Sequence, residues 1–369
     1  MRGISNEPPD RRRSRSRRSR FGFTTLVAAA GLVMATLPAT AANNGTIWTT
    51  LADMPTARYG PASATAACPP AQGGNCVYTV GGTNGTRATG AAESYNRLSG
   101  AWSTLPPMPT PRSQLGAATA PCPKGQQGYC VYAVGGVGGA GGLTKVESYN
   151  PATNAWSTVA ALSVARYNTA ATAAPCPAGQ TGTCVYAVGG TTSGGNTASV
   201  ESYNPVTNAW SPVASLPLAR GGLGAAASTC PRGQTGTCVY AVGGNAGGPV
   251  GTVESYNPAT NVWTPVAALP TPRFTLATVA APCPPGQTGT CVYAVGGLNG
   301  GLTGKVESYQ PSSNTWTTLP SLPTPRSFLA AAATHCPPGI TGACVYVSGG
   351  SASSGPSSAL EALDPPTLK

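Results

Sequence analysis

Twelve cysteines and six Gly-Gly pairs recur along this chain at one period, and that period limits the fold more than any other feature. The cysteines form C-x7-C pairs: Cys68/Cys76, Cys122/Cys130, Cys176/Cys184, Cys230/Cys238, Cys283/Cys291 and Cys336/Cys344. Each pair runs through Val-Tyr into a Gly-Gly that begins at residue 81, 135, 189, 243, 296 or 349, so successive steps are 54, 54, 54, 53 and 53 residues. A repeat of this length means a propeller or solenoid, because one such unit cannot bury its apolar face alone. The 369 residues therefore read as one array rather than as several unrelated domains.

Composition agrees with β structure: 49 Gly, 37 Pro, 8% charged residues and almost no helical periodicity. The net charge of +11 is uneven, with eight arginines and two acids inside residues 1–41, which leaves 13 basic and 8 acidic residues beyond, or +5. Those charges are spread around the repeat without a basic run, which argues against a nucleic-acid partner.

Residues 1–41 read as an export signal. "RRRSRSRRSR" (11–20) is a cationic leader, "FGFTTLVAAAGLVMATL" (21–37) an apolar stretch, and "ATA" (39–41) a small-x-small cleavage site. The mature chain is expected to begin near Ala42, giving a single domain over 42–369, secreted and extracellular, with no membrane span once the signal is removed. The apolar stretch is marginal for crossing a bilayer, so retention as an anchor is the alternative. Arg17-Arg18 leaves a twin-arginine route open, although Arg20 stands where that signal prefers an apolar residue. In an exported chain an even number of cysteines at fixed local spacing means disulfides within each C-x7-C pair. A zinc site needs clustered CxxC pairs or histidines, and His335 is the sole histidine, so no metal and no cofactor is expected.

The second unit shows how one repeat folds. Leu115 to Ala120 reads as strand one, and "PKGQQGY" turns the chain into strand two, Cys130 to Val134, whose continuous apolar character suits burial on both faces. Gly135-Gly136 allows a sharp exit, and a Gly-rich loop leads to strand three, Val146 to Tyr149. "NPATN" is a turn, and Trp156 opens strand four. Four antiparallel strands make one propeller blade.

The in-phase residues recur six times. An arginine opens strand one (Arg58, Arg112, Arg166, Arg220, Arg273, Arg326), an acid lies on strand three (Glu93, Glu147, Glu201, Glu254, Glu307, Glu361), and an indole lies on strand four (Trp48, Trp102, Trp156, Trp210, Trp263, Trp316). Trp48 precedes any strand one, while the last unit stops after strand three at Leu363-Asp364. Ile47–Leu51 is therefore expected to supply strand four of the last blade and remove an exposed edge.

An Arg opening strand one, Gly-Gly after an apolar strand, then Glu-x-Tyr-Asn-Pro and a Trp, resemble the kelch repeat over residues 45–369. The resemblance implies an all-β, six-bladed propeller with four antiparallel strands per blade, strand one lining a central channel. It also implies that recognition uses the face built from the 4–1 and 2–3 loops.

Catalysis is not expected. The copper site of the kelch-like galactose oxidases needs two histidines and a Cys-linked tyrosine, which this chain does not supply. The kelch-type sialic acid mutarotases are the alternative, a carbohydrate-modifying enzyme, but they need an acid or base at the mouth. Of eight acids past the signal, six are the repeat glutamates, read as structural partners of the repeat arginines; Asp364 replaces a turn Asn, and only Asp53 departs from the pattern.

Binding remains. The residues one and two positions after each repeat arginine vary between blades and are placed at the mouth. Tyr59, Tyr167, Phe274 and Phe328 offer rings, and Gln114, Asn168 and Thr275 offer neutral hydrogen bonds. The expected partner is an extracellular neutral saccharide or protein segment, recognised by a monomeric binding or scaffold module.

Overall fold

The structure is a computed structural model that describes residues 48–364. Residues 1–47 and 365–369 lie outside the described residues, and with them the export signal over 1–41, the start at Ala42 and Ile47 of the closing strand.

Six four-stranded antiparallel sheets surround a channel, and no helix occurs among the described residues. Blade one runs outward through Ala62–Ala67, Asn75–Val80, Ala92–Asn96 and Ala101–Thr104. Blades two to six follow with inner strands Gly116–Pro121, Ala170–Pro175, Gly224–Thr229, Ala277–Pro282 and Ala330–His335. These inner strands are rich in Ala, Ser and Thr because six of them converge on a narrow axis. At Gly116 even a methyl group would meet the Ala171 Cβ of the next blade at 2.7 Å.

Blade six is closed by the other end of the chain. Trp48–Thr50 pairs antiparallel with Leu360–Leu363, in the register Trp48↔Leu363 and Thr50↔Glu361. The edge that blade six would otherwise expose is thereby paired.

Each second strand is wholly buried from its cysteine onward, which accounts for its unbroken apolar run. The strand-four tryptophans are half-buried rather than core residues, because the fourth strand is the outermost. They connect blades instead. The Trp156 indole donates to the Pro106 carbonyl of the preceding blade at 2.9 Å, and Trp48 donates to the Pro320 carbonyl at 3.0 Å. Tyr149 stacks against Trp156 at 5.4 Å between ring centroids and against Tyr78 of blade one at 5.7 Å. Such pairs are worth about 0.5–1.5 kcal/mol each beyond area burial.

Six disulfides join the first and second strands of each blade, Cys68–Cys76, Cys122–Cys130, Cys176–Cys184, Cys230–Cys238, Cys283–Cys291 and Cys336–Cys344, all at the end remote from the Gly-Gly pairs. A glutamine that sequence reasoning passed over braces the hairpin. Gln126 accepts from Asn150 Nδ2 at 3.0 Å and donates to Ser157 Oγ at 3.3 Å, tying the cysteine loop to strands three and four. Gln180 likewise accepts from Asn204. In blade six Ile340 stands in this place.

Candidate functional site

The repeat arginines do not open strand one. Arg58 precedes Ala62 by three intervening residues, and that short segment builds the mouth. All six arginines are 0% exposed, and each pairs with the strand-three glutamate of its own blade. Arg58–Glu93 and Arg112–Glu147 are 2.6 Å apart and Arg326–Glu361 2.8 Å; Arg166–Glu201, Arg220–Glu254 and Arg273–Glu307 complete the set.

Much of the remaining hydrogen-bonding capacity goes to backbone carbonyls on the arginine side and to threonines on the glutamate side. Arg112 Nη1 donates to the Lys145 carbonyl at 2.7 Å, and Thr110 Oγ1 donates to the second Glu147 oxygen at 2.7 Å. Burial lowers the pKa of Arg58, Arg112, Arg166 and Arg273, while each glutamate partner opposes that shift, and a guanidinium keeps its charge. Arg326 is the least satisfied, with Nε and Nη1 unpartnered.

Two residues after each arginine the backbone turns left-handed. Gly60, Gln114, Asn168, Gly222, Thr275 and Phe328 have φ of 63°, 54°, 50°, 63°, 52° and 49°. Their amides and carbonyls form a closed ring: Gly60 N–H to Phe328 O (2.8 Å), Gln114 to Gly60 (2.7 Å), Asn168 to Gln114 (2.9 Å), Gly222 to Asn168 (2.8 Å), Thr275 to Gly222 (2.6 Å) and Phe328 to Thr275 (2.9 Å). Four of these six residues are not glycine, although the left-handed region costs L-residues roughly 1–2 kcal/mol each. The backbone of Gln114, Asn168, Thr275 and Phe328 is therefore committed to architecture, and the Thr275 hydroxyl also donates to the Phe274 carbonyl at 2.7 Å. What these residues can offer a ligand is limited to side-chain atoms, which line a depression of about 70 Å³ at the mouth.

A second ring lies one residue outward. Tyr59, Ser113, Tyr167, Gly221, Phe274 and Ser327 each bridge to the residue after their blade's Gly-Gly: Thr83, Val137, Thr191, Asn245, Leu298 and Ser351. Aromatic rings therefore stand on blades one, three and five, with small residues between them. Tyr59, Tyr167 and Phe274 are half-buried on this outer ring and are absent from the central depression. Phe328 packs against Tyr59 at 6.0 Å, across the boundary between blades six and one.

The Gly-Gly pairs serve the same face. Gly81 has φ +66°, and a Cβ there would lie 2.6 Å from the Arg112 carbonyl oxygen. The next amide, that of Gly82, donates to that carbonyl at 2.8 Å, so each Gly-Gly is an inter-blade contact. Beyond them, where the sequence predicts loops, Val137–Gly138/Gly141–Gly142, Thr191–Thr192/Gly195–Asn196 and Ser351–Ala352/Gly355–Pro356 form small two-stranded ribbons.

Below the mouth, the channel holds a cavity of about 240 Å³ walled by small inner-strand residues such as Ser63, Ala117, Thr172 and Thr278. Of the acids among the described residues, the six glutamates are buried in ion pairs; Asp53 sits on the outer rim, accepting from Ser358 at 3.1 Å, and Asp364 lies at the disulfide end. Asp364 is close to Cys336 and Cys344, but sulfurs bonded to one another present no thiolate to a metal. His335 is exposed at the cysteine hairpin, opposite the mouth.

Kelch motifs match residues 64–109, 118–163, 173–217, 233–270 and 280–323, one for each of the first five blades. The chain belongs to the kelch-repeat family. Blade six is the one whose four strands are not contiguous in the chain. Kelch-like protein 23 of Mus musculus is 29% identical over 46% of this chain and 26% of its own length. Kelch-like protein 25 of Xenopus tropicalis is 26% identical over 67% of this chain and 39% of its own, and Kelch-like ECH-associated protein 1B of Danio rerio is 34% identical over 27% and 16%. The kelch chain thus spans about a quarter of the length of the first of these relatives. Its fold is similar to that of YjhT, with a TM-score of 0.60 over 85% of this chain and 95% of that one at 15% identity.

Proposed function

We propose that this kelch protein is an exported, disulfide-stapled binding module that presents its Gly-Gly face to a neutral extracellular ligand, a saccharide first and an uncharged protein segment second, and carries out no reaction of its own. The supporting observation is what the mouth offers: aromatic rings on alternate blades, amides and hydroxyls between them, and a central depression of about 70 Å³. Small-molecule pockets measure roughly 300–1,000 Å³, above both this depression and the channel cavity of about 240 Å³ beneath it. A ligand here lies across the rim, where Tyr59, Tyr167 and Phe274 stand half-buried. Among the described residues, acid–base chemistry of the mutarotase kind finds no free carboxylate near the mouth centre, since the glutamates are held by arginines. Six disulfides suit an oxidising compartment.

The test is a glycan and cell-wall-polymer array probed with the secreted protein, with sialic acid mutarotation followed in parallel. Binding that disappears in Tyr59→Ala/Tyr167→Ala at unchanged melting temperature supports the reading. Mutarotation at enzymic rates, or binding that survives those changes but is lost on altering the cysteine loops, overturns it.

A further inference from the structure

The boundary between blades six and one differs from the other five boundaries in chemistry. Ser63 Oγ, Thr79 Oγ1 and Ser348 Oγ form a triangle of hydroxyls at 2.9, 3.0 and 3.1 Å, with Ser348 contributed by blade six and the other two by blade one. Thr79 and Ser348 are 0% and 1% exposed. At the boundary between blades one and two the same three positions hold Ala117, Ala133 and Val80, which pack in one apolar cluster. Between blades two and three they are Ala171, Ala187 and Val134, and valine recurs in Ser348's position at every boundary but this one. Two further polar ties cross the same boundary. Thr65 Oγ1 donates to the Ala333 carbonyl at 3.1 Å, and Arg97, where blades two to five carry proline, donates to the Cys336 carbonyl at 3.1 Å.

We infer that this polar seam is a matching code that restricts ring closure to blade six against blade one of the same chain. At these three positions four of the other boundaries are wholly apolar and the one between blades four and five carries a single hydroxyl, Thr278, so those faces are nearly interchangeable. A chain of near-identical blades therefore has competing closures: a ring that omits a blade, or a blade docked on a second copy of the chain. If Ser348 of blade six, 1% exposed, meets the alanine pair that another blade presents, its hydroxyl is buried without a partner, and Ser63 and Thr79 of blade one keep only each other, a penalty that an apolar face does not impose. The triangle thus acts chiefly by making wrong closures unfavourable, in the manner of a buried polar residue that sets register.

The experiment refolds the full-length, disulfide-oxidised protein from denaturant over a range of concentrations and measures the monomer fraction by size exclusion with light scattering. In Ser63→Ala/Thr79→Ala/Ser348→Val, which makes the seam like the boundary between blades one and two, native-like circular dichroism and melting temperature are expected. The monomer fraction at high concentration is expected to fall at least about twofold, the balance being discrete oligomers. Ser348→Val alone is expected to lower the monomer fraction as well and to melt a few degrees lower, since every closure then sets blade one against a valine. If the triple variant does not fold, Ala117→Ser/Ala133→Thr decides, since it gives blade six a second matching partner and is expected to lower monomer yield. Refolding of the triple variant, or of this second variant, to monomer as faithfully as the parent at every concentration overturns the inference.

Discussion

The amide of Gly60 donates to the carbonyl of Phe328 at 2.8 Å, and this bond closes the inner backbone ring between the first and last blades. Both residues are left-handed, at φ 63° and 49°, although only one is glycine. The mouth of this propeller is therefore held by main-chain geometry, while its side chains are left to vary.

Substitution within that ring is expected to separate by residue type. Gly60→Val places a branched side chain at φ +63°, with its Cβ 3.1 Å from the Gln114 nitrogen, and is expected to cost about 1–2 kcal/mol or more. Thr275→Gly relieves a β-branched residue at positive φ and is expected to gain up to about 1 kcal/mol, less the greater freedom of glycine in the unfolded chain. Denaturant midpoints at constant slope give both values. A clear loss in Thr275→Gly would show that its side chain matters more than its backbone strain.

Breaking one buried ion pair is expected to be severe. Glu147→Gln leaves the Arg112 guanidinium, 0% exposed, without its counter-charge, at a cost of about 3–5 kcal/mol. Replacing both partners, Arg112→Met with Glu147→Leu, is expected to recover most of that loss, because the desolvation penalty disappears with the pair. Urea unfolding of the two variants side by side measures the difference.

Alkali is expected to unfold the protein through its tyrosines. Burial pushes Tyr95, Tyr149, Tyr203, Tyr256 and Tyr309 up to about 12 from an ordinary 10.0, and raises the strand-two tyrosines, led by Tyr78 and Tyr132, further still. The folded state keeps these protons where the unfolded chain, titrating near 10, gives them up. Their contribution is complete below pH 10 and is lost as pH rises from about 10 to about 12 and beyond. Phenolate absorbance and circular dichroism should change together in one transition; tyrosines that ionise one by one near pH 10 in an intact fold would contradict their burial.

Deleting residues 43–50 removes the outer strand of blade six and the Trp48–Pro320 bond, and uncovers the backbone of Leu360–Leu363. Aggregation or loss of secretion is the expected outcome, read by size exclusion and by yield in the medium. A stable monomer lacking this strand would mean that closure does not depend on it.

Much of this architecture was legible because its signals are local and repeat in phase. An eight-residue separation between cysteines, a Gly-Gly after an apolar run, and Glu and Trp at constant offsets each report on one hairpin or one turn. Six aligned copies then imply a ring, and the orphaned Trp48 and the truncated last unit imply its closure. Strand ends were less well defined: the arginines, read as opening strand one, lie just before it, because the left-handed residue between them interrupts the strand. The inter-blade role of the half-buried tryptophans and the bracing by Gln126 depend on partners tens of residues away or on an adjacent strand, and neither leaves a periodic trace of its own.

The mouth and the seam were decided only on folding. Gln114, Asn168, Thr275 and Phe328 share no side-chain chemistry that could announce a common backbone conformation. They adopt it because each amide meets the carbonyl of the neighbouring blade, and that contact exists only once the ring has closed. Ser63, Thr79 and Ser348 are likewise three unremarkable hydroxyls in the linear chain, two of them 269 residues apart. Repetition along the chain can specify how each blade folds, but the pairing of first blade with last is a long-range event, and its chemistry is visible only where the two faces meet.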